Sequence, residues 1–298
     1  MAGHGGEQAE PSPSAGSASG DGSSGQPLAP TTAVAMSMSA RPCPTRHTRR
    51  VHAVALTALK GGVGKTSTAV NLAALSATAG RRTLVWDLDP QAGATACLGV
   101  KPKLRGGAQR LLGSDRELAG SIRRSHLPGL DVLPGDVTLR EADVIVSGSR
   151  KPRRSLRRVL TTVARDYDVV LVDCPPGVGP ATEVLVGSVD LLLVPVVPAP
   201  LDLRALDRFS DVIADLGAAV ELLAPFLSLV DRRKPLHRRL VDEVRTNRRF
   251  LGAAIPVSSA VERMPLEQVP TVIAAPRSLA SIALRELWGE VSERLDLP

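Results

Sequence analysis

KGGVGKT, residues 60–66, lies between an apolar run over residues 51–59 and a helical pattern over residues 67–79. Glycines let such a loop wrap its backbone N–H groups around phosphates, while the lysine and hydroxyl residue at its end reach the β- and γ-phosphates and Mg²⁺. The helix that follows adds the positive end of its dipole. The stretch therefore predicts a nucleoside triphosphate site between a strand and a helix.

The loop departs from the ordinary phosphate-binding pattern at its start. Leu59 stands where that pattern has its first glycine, and a second lysine, Lys60, opens the run. We expect the loop and the first helical turn to bind a nucleoside triphosphate with Mg²⁺. The predicted nucleotide-binding residues are Gly61, Gly62, Val63, Gly64, Lys65, Thr66 and Ser67.

The composition predicts one folded domain behind a tail. The chain has 298 residues, of which 43% are apolar, so it can bury a sizeable core. Residues 1–40 are mostly Gly, Ser, Ala and Pro, which cannot offset the entropy of folding. We predict a disordered tail over residues 1–50 that ends in a basic linker, followed by a single domain over residues 51–298.

Several classes of protein are disfavoured by the composition. Aromatic residues make up 2% of the chain, too few for a surface that stacks RNA or single-stranded bases. The three cysteines have neither the pairing nor the spacing of a disulfide framework or a zinc site. The sequence shows no transmembrane run and no signal peptide, so we expect a cytoplasmic protein.

Short apolar runs alternate with helix-length segments from residue 51 onward. Six runs are interpreted as strands, over residues 51–59, 83–88, 130–133, 169–172, 191–197 and 222–230. This alternation predicts an α/β fold with a doubly wound, mostly parallel sheet, and the continuously apolar runs indicate strands covered on both faces. In such a sheet, ligands bind at the carboxyl ends of the strands.

Three aspartates stand where strands are predicted to end. Asp87 and Asp89 occur in the segment VWDLDPQ, residues 85–91, and Asp173 follows the run VVLV, residues 169–172. An aspartate that ends a buried strand is a usual partner of Mg²⁺ in phosphate-loop enzymes, so Asp173 suits that role. Asp89 is placed to orient an attacking water.

The order and spacing of these segments carry a family resemblance. The loop at residues 60–66, then DLDPQ at 87–91 and DCPP at 173–176, resemble the ParA/MinD group of deviant Walker P-loop ATPases, most nearly the chromosome- and plasmid-partition ParA proteins. The resemblance covers roughly residues 51–295. It implies a P-loop NTPase fold with a deviant Walker A loop.

The resemblance also implies a role for each site residue. Lys60 would cross an ATP-bound homodimer to touch the nucleotide of the partner subunit, and Asp89 would position the catalytic water. Thr66, Asp87 and Asp173 would form the metal shell. Hydrolysis, stimulated by a ParB-like partner protein, would then dissolve the dimer.

The resemblance further implies binding to double-stranded DNA without sequence preference, and therefore association with the nucleoid. Residues 231–249 hold eight cations and three acidic residues, a local excess of +5. The cations are Arg232, Arg233, Lys234, Arg238, Arg239, Arg245, Arg248 and Arg249. We predict DNA contacts from Arg233, Arg248 and Arg249, although a second family arginine is replaced here by Ala260.

Three alternative functions stay open. The first is a ParA-like ATPase that positions a protein cargo. The second is a MinD-like regulator that attaches to membranes by a C-terminal helix, although the polar positions of residues 278–297 are mostly acidic and favour packing on the sheet. The third is an iron–sulfur protein similar to nitrogenase reductase, with Cys97 and Cys174 as ligands.

Overall fold

A computed structural model describes residues 51–149, 152–217, 219 and 222–297. The predicted tail, residues 1–50, lies outside these ranges. The described chain forms an eight-stranded sheet in the order β3-β4-β2-β5-β1-β6-β7-β8. The strands are β1 His52–Leu56, β2 Thr83–Asp87, β3 Arg123–Arg124, β4 Leu130–Leu133, β5 Val169–Asp173, β6 Leu191–Val196, β7 Leu223–Val230 and β8 Ala254–Pro256.

Helices connect the strands. They are α1 Lys65–Thr78, α2 Gly93–Cys97, α3 Gly107–Gly113, α4 Asp115–Ser121, α5 Ala142–Ser147, α6 Pro152–Val163, α7 Pro180–Val186, α8 Pro200–Asp215, α9 Pro235–Arg245, α10 Ser259–Glu267, α11 Thr271–Ala274 and α12 Leu279–Arg294, with a 3₁₀ turn over Val137–Glu141. Every strand pair is parallel except β3 with β4. The predicted doubly wound fold is confirmed.

The sheet is covered on both faces, which explains its continuously apolar strands. In β1, Ala53 and Ala55 join a core that includes side chains of α6 and α8, while Val54 and Leu56 join a second core with α1 and α12. Successive side chains of a strand point to opposite faces, so an apolar residue is needed at every position.

Each of the six predicted strands is present, with small differences at the ends. The first strand is four residues shorter than its apolar run: it begins one residue later, and it ends three residues earlier because the loop toward α1 begins at Thr57. The helix predicted over residues 67–79 begins two residues earlier, at Lys65. Neither β3 nor β8 was predicted, since they have two and three residues.

The order of the strands creates a crevice at the carboxyl end of β1. The chain passes from β1 to β2 on one side of the sheet and later crosses from β5 to β6 on the other. Such a point of reversal is where ligands bind in doubly wound sheets. The loop between β1 and α1 lies at this point.

Candidate nucleotide site

The loop over residues 57–64 is shaped by a glycine at its end. Gly64 has φ 95°, a left-handed conformation that disfavours side chains, and it precedes α1 without a capping side chain. A Cβ at Gly64 would also lie 2.9 Å from the Ser228 Oγ at the end of β7. No side chain caps the N-terminus of α1, so its first N–H groups remain available to a phosphate.

The three residues that follow the loop have different neighbours. Lys65 is 6% exposed, and its Nζ lies 3.4 Å from the Lys60 carbonyl oxygen. The Ser67 hydroxyl donates to the Gly64 carbonyl at 3.1 Å, which ties the helix to the loop. The Thr66 side chain faces α2, since a Cβ at Gly93 would lie 3.1 Å from Thr66 Cγ2.

Asp173 is the most unusual charged group in the site. It ends β5 beside Leu56 of β1 and Asp87 of β2, and it is fully buried. Neither of its carboxylate oxygens has a hydrogen-bond partner within the described residues. Burial is the main cause, followed by the charge of Asp87, of a rise in the pKa of Asp173 to about 8. The nearby Thr66 hydroxyl and the charge of Lys65 favour the carboxylate and offset part of this rise.

Asp87 is buried, and its two carboxylate oxygens accept three hydrogen bonds. Its Oδ2 accepts from the Thr95 N–H at 2.8 Å and from the Thr95 hydroxyl at 2.7 Å, and its Oδ1 accepts from the Asp89 N–H at 3.2 Å. Burial raises the pKa of Asp87 to about 6 despite these bonds. Asp87 therefore organises the segment after β2, which carries Asp89.

Asp89 is half-buried, next to the two buried aspartates. Its Oδ1 accepts from the Gln91 N–H at 2.8 Å, and its charge contributes to the raised pKa values of Asp87 and Asp173. The second oxygen of Asp89 accepts no hydrogen bond within the part of the chain that the structure describes. The structure thus brings the three predicted aspartates together beside Lys65.

Thr95 is a site residue that sequence reasoning missed. Its hydroxyl donates to Asp87 and accepts from the Gly135 N–H at 2.9 Å, so it joins β2 to the segment after β4. Gly135 lies so close that a Cβ there would be 2.7 Å from the Asp89 carbonyl oxygen. No spacing rule marks this threonine, because its partners are 8 and 40 residues away.

Lys60 is paired within its own chain. Its Nζ donates to Asp202 Oδ1 at 2.9 Å, with the Lys60 side chain 52% exposed and that of Asp202 16% exposed. Asp202 lies in the first turn of α8 and was not predicted as a site residue. The lysine is consequently held at the edge of the loop.

The predicted DNA-binding arginines have unequal surroundings. Arg233 is 90% exposed and makes two side-chain hydrogen bonds of 2.9 Å to Asp231. Arg249 is directed to α8, where it donates to Asp207 and Ser210 at 2.6 Å. Arg248 is exposed and has no ion pair or hydrogen bond among the described side chains. Arg249 therefore stabilises the packing of α8, whereas the neighbouring Arg248 is exposed to solvent.

The turn that carries Arg233 is supported by a buried histidine. The Asp231 N–H donates to His237 Nδ1 at 3.0 Å, and His237 is 6% exposed. Burial and the charge of Lys234 lower the pKa of His237, which favours the neutral ring needed to accept this bond. Arg233 is thus presented from a fixed turn.

The structure does not bring Cys97 and Cys174 together as ligands of one cluster. Both thiols are buried, and they belong to cores on opposite faces of the sheet. Burial raises the pKa of each, which disfavours the thiolate that a cluster needs. In the described ranges, no group of three or more His, Cys, Asp or Glu residues is arranged to hold a metal by itself.

The C-terminal helix packs on the sheet, as predicted. Leu287, Val291 and Leu295 are buried in the same core as α1, whereas Leu279 and Ile282 at the start of α12 are exposed. Most of the large apolar side chains of this helix are therefore already covered by the protein. None of the helices described is long and apolar enough to cross a membrane.

Comparison with known proteins identifies the family and relatives of this chain. The family described as "AAA domain" matches residues 51–222. The sporulation initiation inhibitor protein Soj of Bacillus subtilis is 29% identical over 246 residues, which are 80% of this chain and 97% of Soj. The chromosome partitioning protein ParA of Myxococcus xanthus is 34% identical over 193 residues, which are 62% of this chain and 68% of that protein.

A solved structure shows the same architecture. Cobyrinic acid a,c-diamide synthase from Mycobacterium smegmatis, with bound ADP and magnesium, aligns with a TM-score of 0.68 at 26% identity. The alignment covers 83% of this chain and 96% of that one. The fold is therefore that of phosphate-loop nucleotide-binding proteins.

Proposed function

Because the chain belongs to the ParA/MinD family of partitioning ATPases, we propose that it is a Mg²⁺-dependent ATPase that segregates DNA. One observation carries the proposed nucleotide chemistry. The Asp173 carboxyl group is fully buried beside Thr66 and Lys65, and neither of its oxygens accepts a hydrogen bond of normal geometry among the described residues. A buried, unsatisfied carboxylate is costly unless a cation accompanies it.

The residues present fit a magnesium ion. Asp173 supplies two unused carboxylate oxygens and Thr66 supplies a hydroxyl, while Asp87 supports the site through its bonds to Thr95. Mg²⁺ is usually held by one or two carboxylates together with waters and the phosphates of the substrate. When bound, the ion would neutralise charge that develops on the transferred phosphoryl group.

The phosphate loop would bind ATP through its backbone and Lys65. The open N-terminus of α1 offers N–H groups to the phosphates, and the buried Lys65 ammonium adds a positive charge. Gly61, Gly62, Val63 and Gly64 form the loop, and Ser67 ties it to the helix. Asp89 would accept a hydrogen bond from the attacking water, a role supported by its position close enough to Asp173 for its charge to raise the pKa of that residue.

ATP would couple this site to dimer formation. Lys60 would reach the nucleotide of a second copy of the chain, a role supported by the exposure of half of its side chain at the edge of the loop. The dimer would bind double-stranded DNA without sequence preference, by phosphate contacts from Arg233, Arg248 and Arg249. Hydrolysis stimulated by a ParB-like partner would return the protein to the monomer, so the ATP form would be associated with the nucleoid.

A ParA-like ATPase that positions a protein cargo is the second candidate. Arg249 is engaged with α8, and Ala260 replaces a basic residue that the resemblance expects, so the cationic surface is smaller than the charge count implies. DNA binding distinguishes the two candidates.

Two substitutions test the proposed ATPase chemistry. Lys65→Ala should abolish ATP binding, because it removes the charge that faces the phosphates. Asp89→Ala should leave ATP binding intact and lower turnover by about 10²-fold or more, the usual effect of losing a group that acts on the reacting proton. Binding is measured by calorimetry and turnover by phosphate release.

Asp211→Asn provides a matched control, since Asp211 is an exposed acid on α8 away from the aspartate cluster. Its turnover should equal that of the unmodified chain. Normal turnover in Asp89→Ala would contradict the assignment of the water-binding residue.

A further inference from the structure

The segment over residues 174–179 connects β5 to α7 and is bonded to the strand beside it. The Cys174 N–H donates to the Leu56 carbonyl at 3.1 Å, and the Gly177 N–H donates to the Ala58 carbonyl at 2.9 Å. The two acceptors belong to the end of β1 and the start of the phosphate loop. The segment therefore lies along the phosphate loop, directly after the aspartate that ends β5.

The far end of this segment is capped by a side chain from another helix. Gly179 is the N-cap of α7 and has no side chain, and Pro180 at the first helical position has no N–H. The first N–H of the helix is consequently that of Ala181. It donates to Asp143 Oδ1 at 2.9 Å, so the cap comes from α5, 38 residues earlier in the chain.

The carboxylate of Asp143 fits closely against Gly179. A Cβ at Gly179 would overlap Asp143 Oδ2 and lie 2.9 Å from Asp143 Cγ. Gly179 has φ −97°, which any residue can adopt, so the glycine is needed for space and not for backbone conformation. The carboxylate can occupy this position only because residue 179 has no side chain.

The cap bears on Asp173 because the same segment follows it. Within the described ranges, neither Asp173 oxygen accepts a hydrogen bond of normal geometry, so the backbone alone sets the direction of this side chain. Without the cap, α7 would fray at its first turn, and the segment would be fixed only at its phosphate-loop end. A misplacement of about 1 Å in a group that acts on the reaction can lower the rate by up to about 10²-fold.

We propose that Asp143 is a positioning residue for ATP hydrolysis, whose carboxylate fixes residues 174–179 and so aligns Asp173 with the bound nucleotide. The inference rests on the proposed ATPase function. In the part of the chain that the structure describes, the Asp143 carboxylate bonds to α7 and not to the phosphate loop. Loss of Asp143 should therefore lower kcat and leave the KM for ATP nearly unchanged.

Steady-state phosphate release by the full chain with Mg²⁺ and ATP measures kcat and KM. We expect Asp143→Ala to lower kcat about five- to tenfold, the range for loss of a helix cap, with KM changed less than about twofold. Asp143→Asn keeps an oxygen that can accept the Ala181 N–H, so it should retain most of the kcat. Glu141→Ala removes an exposed acid two residues away and should have no effect.

Gly179→Ala tests the same contact from the other side. Its methyl group would displace the carboxylate, so kcat should fall about as far as in Asp143→Ala. In the double variant the methyl group can occupy the space that the carboxylate leaves, so the two losses should not multiply. Losses that multiply would show that the two residues act independently, and would overturn the inference.

Hydrogen exchange of the ligand-free chain supplies a readout that does not depend on turnover. Mass spectrometry of peptides that span residues 174–183 should show about five- to tenfold faster exchange in Asp143→Ala than in the unmodified chain. Exchange in Asp143→Asn should stay close to that of the unmodified chain. Faster exchange in Asp143→Ala with a normal kcat would make the cap purely structural, and would overturn the inference.

The remaining outcomes separate the inference from the proposed function. Normal kcat in Asp143→Ala, or an equal loss in Asp143→Asn, would overturn the inference and leave the proposed function standing. If circular dichroism shows that Gly179→Ala does not fold, the comparison of Asp143→Ala with Asp143→Asn still gives this result. Absence of ATP hydrolysis by the unmodified chain would contradict the proposed function itself, and the inference with it.

Discussion

Asp173 combines complete burial with a charge that no described protein group satisfies by a hydrogen bond. An unpaired buried carboxylate normally lowers stability, so its presence at the end of a core strand requires a compensating role. Lys65 opposes the rise of its pKa only in part. In the absence of a ligand, the buried Asp173 carboxyl group therefore lowers the free energy of unfolding.

The substitution Asp173→Asn should raise the thermal midpoint of the ligand-free protein at neutral pH, because the Asp173 carboxyl group must take up a proton to stay buried, whereas the amide is neutral at every pH. Below the pKa of the unfolded carboxyl, near 4, both states are protonated. Between pH 4 and about 8 the unfolded state releases its proton while the folded state keeps it, so the free energy of unfolding should fall as pH rises.

Urea unfolding at several pH values measures this trend. The decrease in the free energy of unfolding with rising pH should be smaller in Asp173→Asn. The decrease that remains should come from Asp87, whose pKa is raised to about 6. Mg²⁺ with ADP should stabilise the unmodified chain more than the variant. A variant that is less stable than the unmodified chain at pH 8, with an unaltered pH trend, would contradict this account.

Sequence patterns located the residues with local signatures and missed those defined by distant contacts. Lys65 and Asp173 follow from a loop motif and a strand end, and the structure places them together. Thr95 and Asp202 have no such signature, because they bond to Gly135 and Lys60, which lie 40 and 142 residues away in the sequence. Only the three-dimensional arrangement reveals them.

The hydroxyl of one residue, Thr95, connects β2, α2 and the segment after β4. Thr95 of α2 joins Asp87 at the end of β2 to Gly135 after β4, and all of these bonds are shorter than 3.0 Å. The connection fixes the segment that carries Asp89. It also links this segment to Thr66 of α1, which lies against Gly93.

Replacing Thr95 by Val keeps the shape of the side chain but leaves the Asp87 carboxylate and the Gly135 N–H each short of one bond. We expect a loss of about 1–3 kcal/mol in the free energy of unfolding, together with slower ATP turnover. Urea unfolding and phosphate release provide the two measurements. Thr95→Ser keeps the hydroxyl and should stay close to the unmodified chain; equal losses in both variants would refute a hydrogen-bonding role.

The strands differ in how well the sequence could specify them. Buried runs such as Val169–Asp173 were predicted because every residue is apolar until the final aspartate. By contrast, β3 consists of two exposed arginines, and β8 has three residues that pair with β7 across an irregular register. Such short edge strands depend on tertiary pairing, which a local pattern does not encode.

For the molecule as a whole, the charge of +7 is informative only once individual cations are placed. Arg248 is exposed, whereas Arg249 donates to Asp207 and Ser210 and approaches the Leu206 carbonyl. The first is available to a phosphate, and the second holds α8. The sequence alone could not divide these adjacent residues between binding and structure.

Arg248→Ala should weaken DNA binding and lower the slope of the salt dependence by about one, with little effect on stability. Arg249→Ala should instead lower the free energy of unfolding by about 1–2 kcal/mol, because it removes hydrogen bonds to α8. Fluorescence anisotropy at several salt concentrations and urea unfolding distinguish the two effects. The assignment fails if Arg248→Ala destabilises the fold and leaves DNA affinity unchanged.

The most direct test of the proposed function is a DNA titration of the full chain with ATP, with ADP and without nucleotide. Duplexes of unrelated sequence are compared at two salt concentrations, so that phosphate binding is separated from base recognition. We expect salt-sensitive binding, indifferent to sequence, that appears only with ATP. Absence of binding in all three nucleotide states would contradict DNA segregation and favour a ParA-like ATPase that positions a protein cargo.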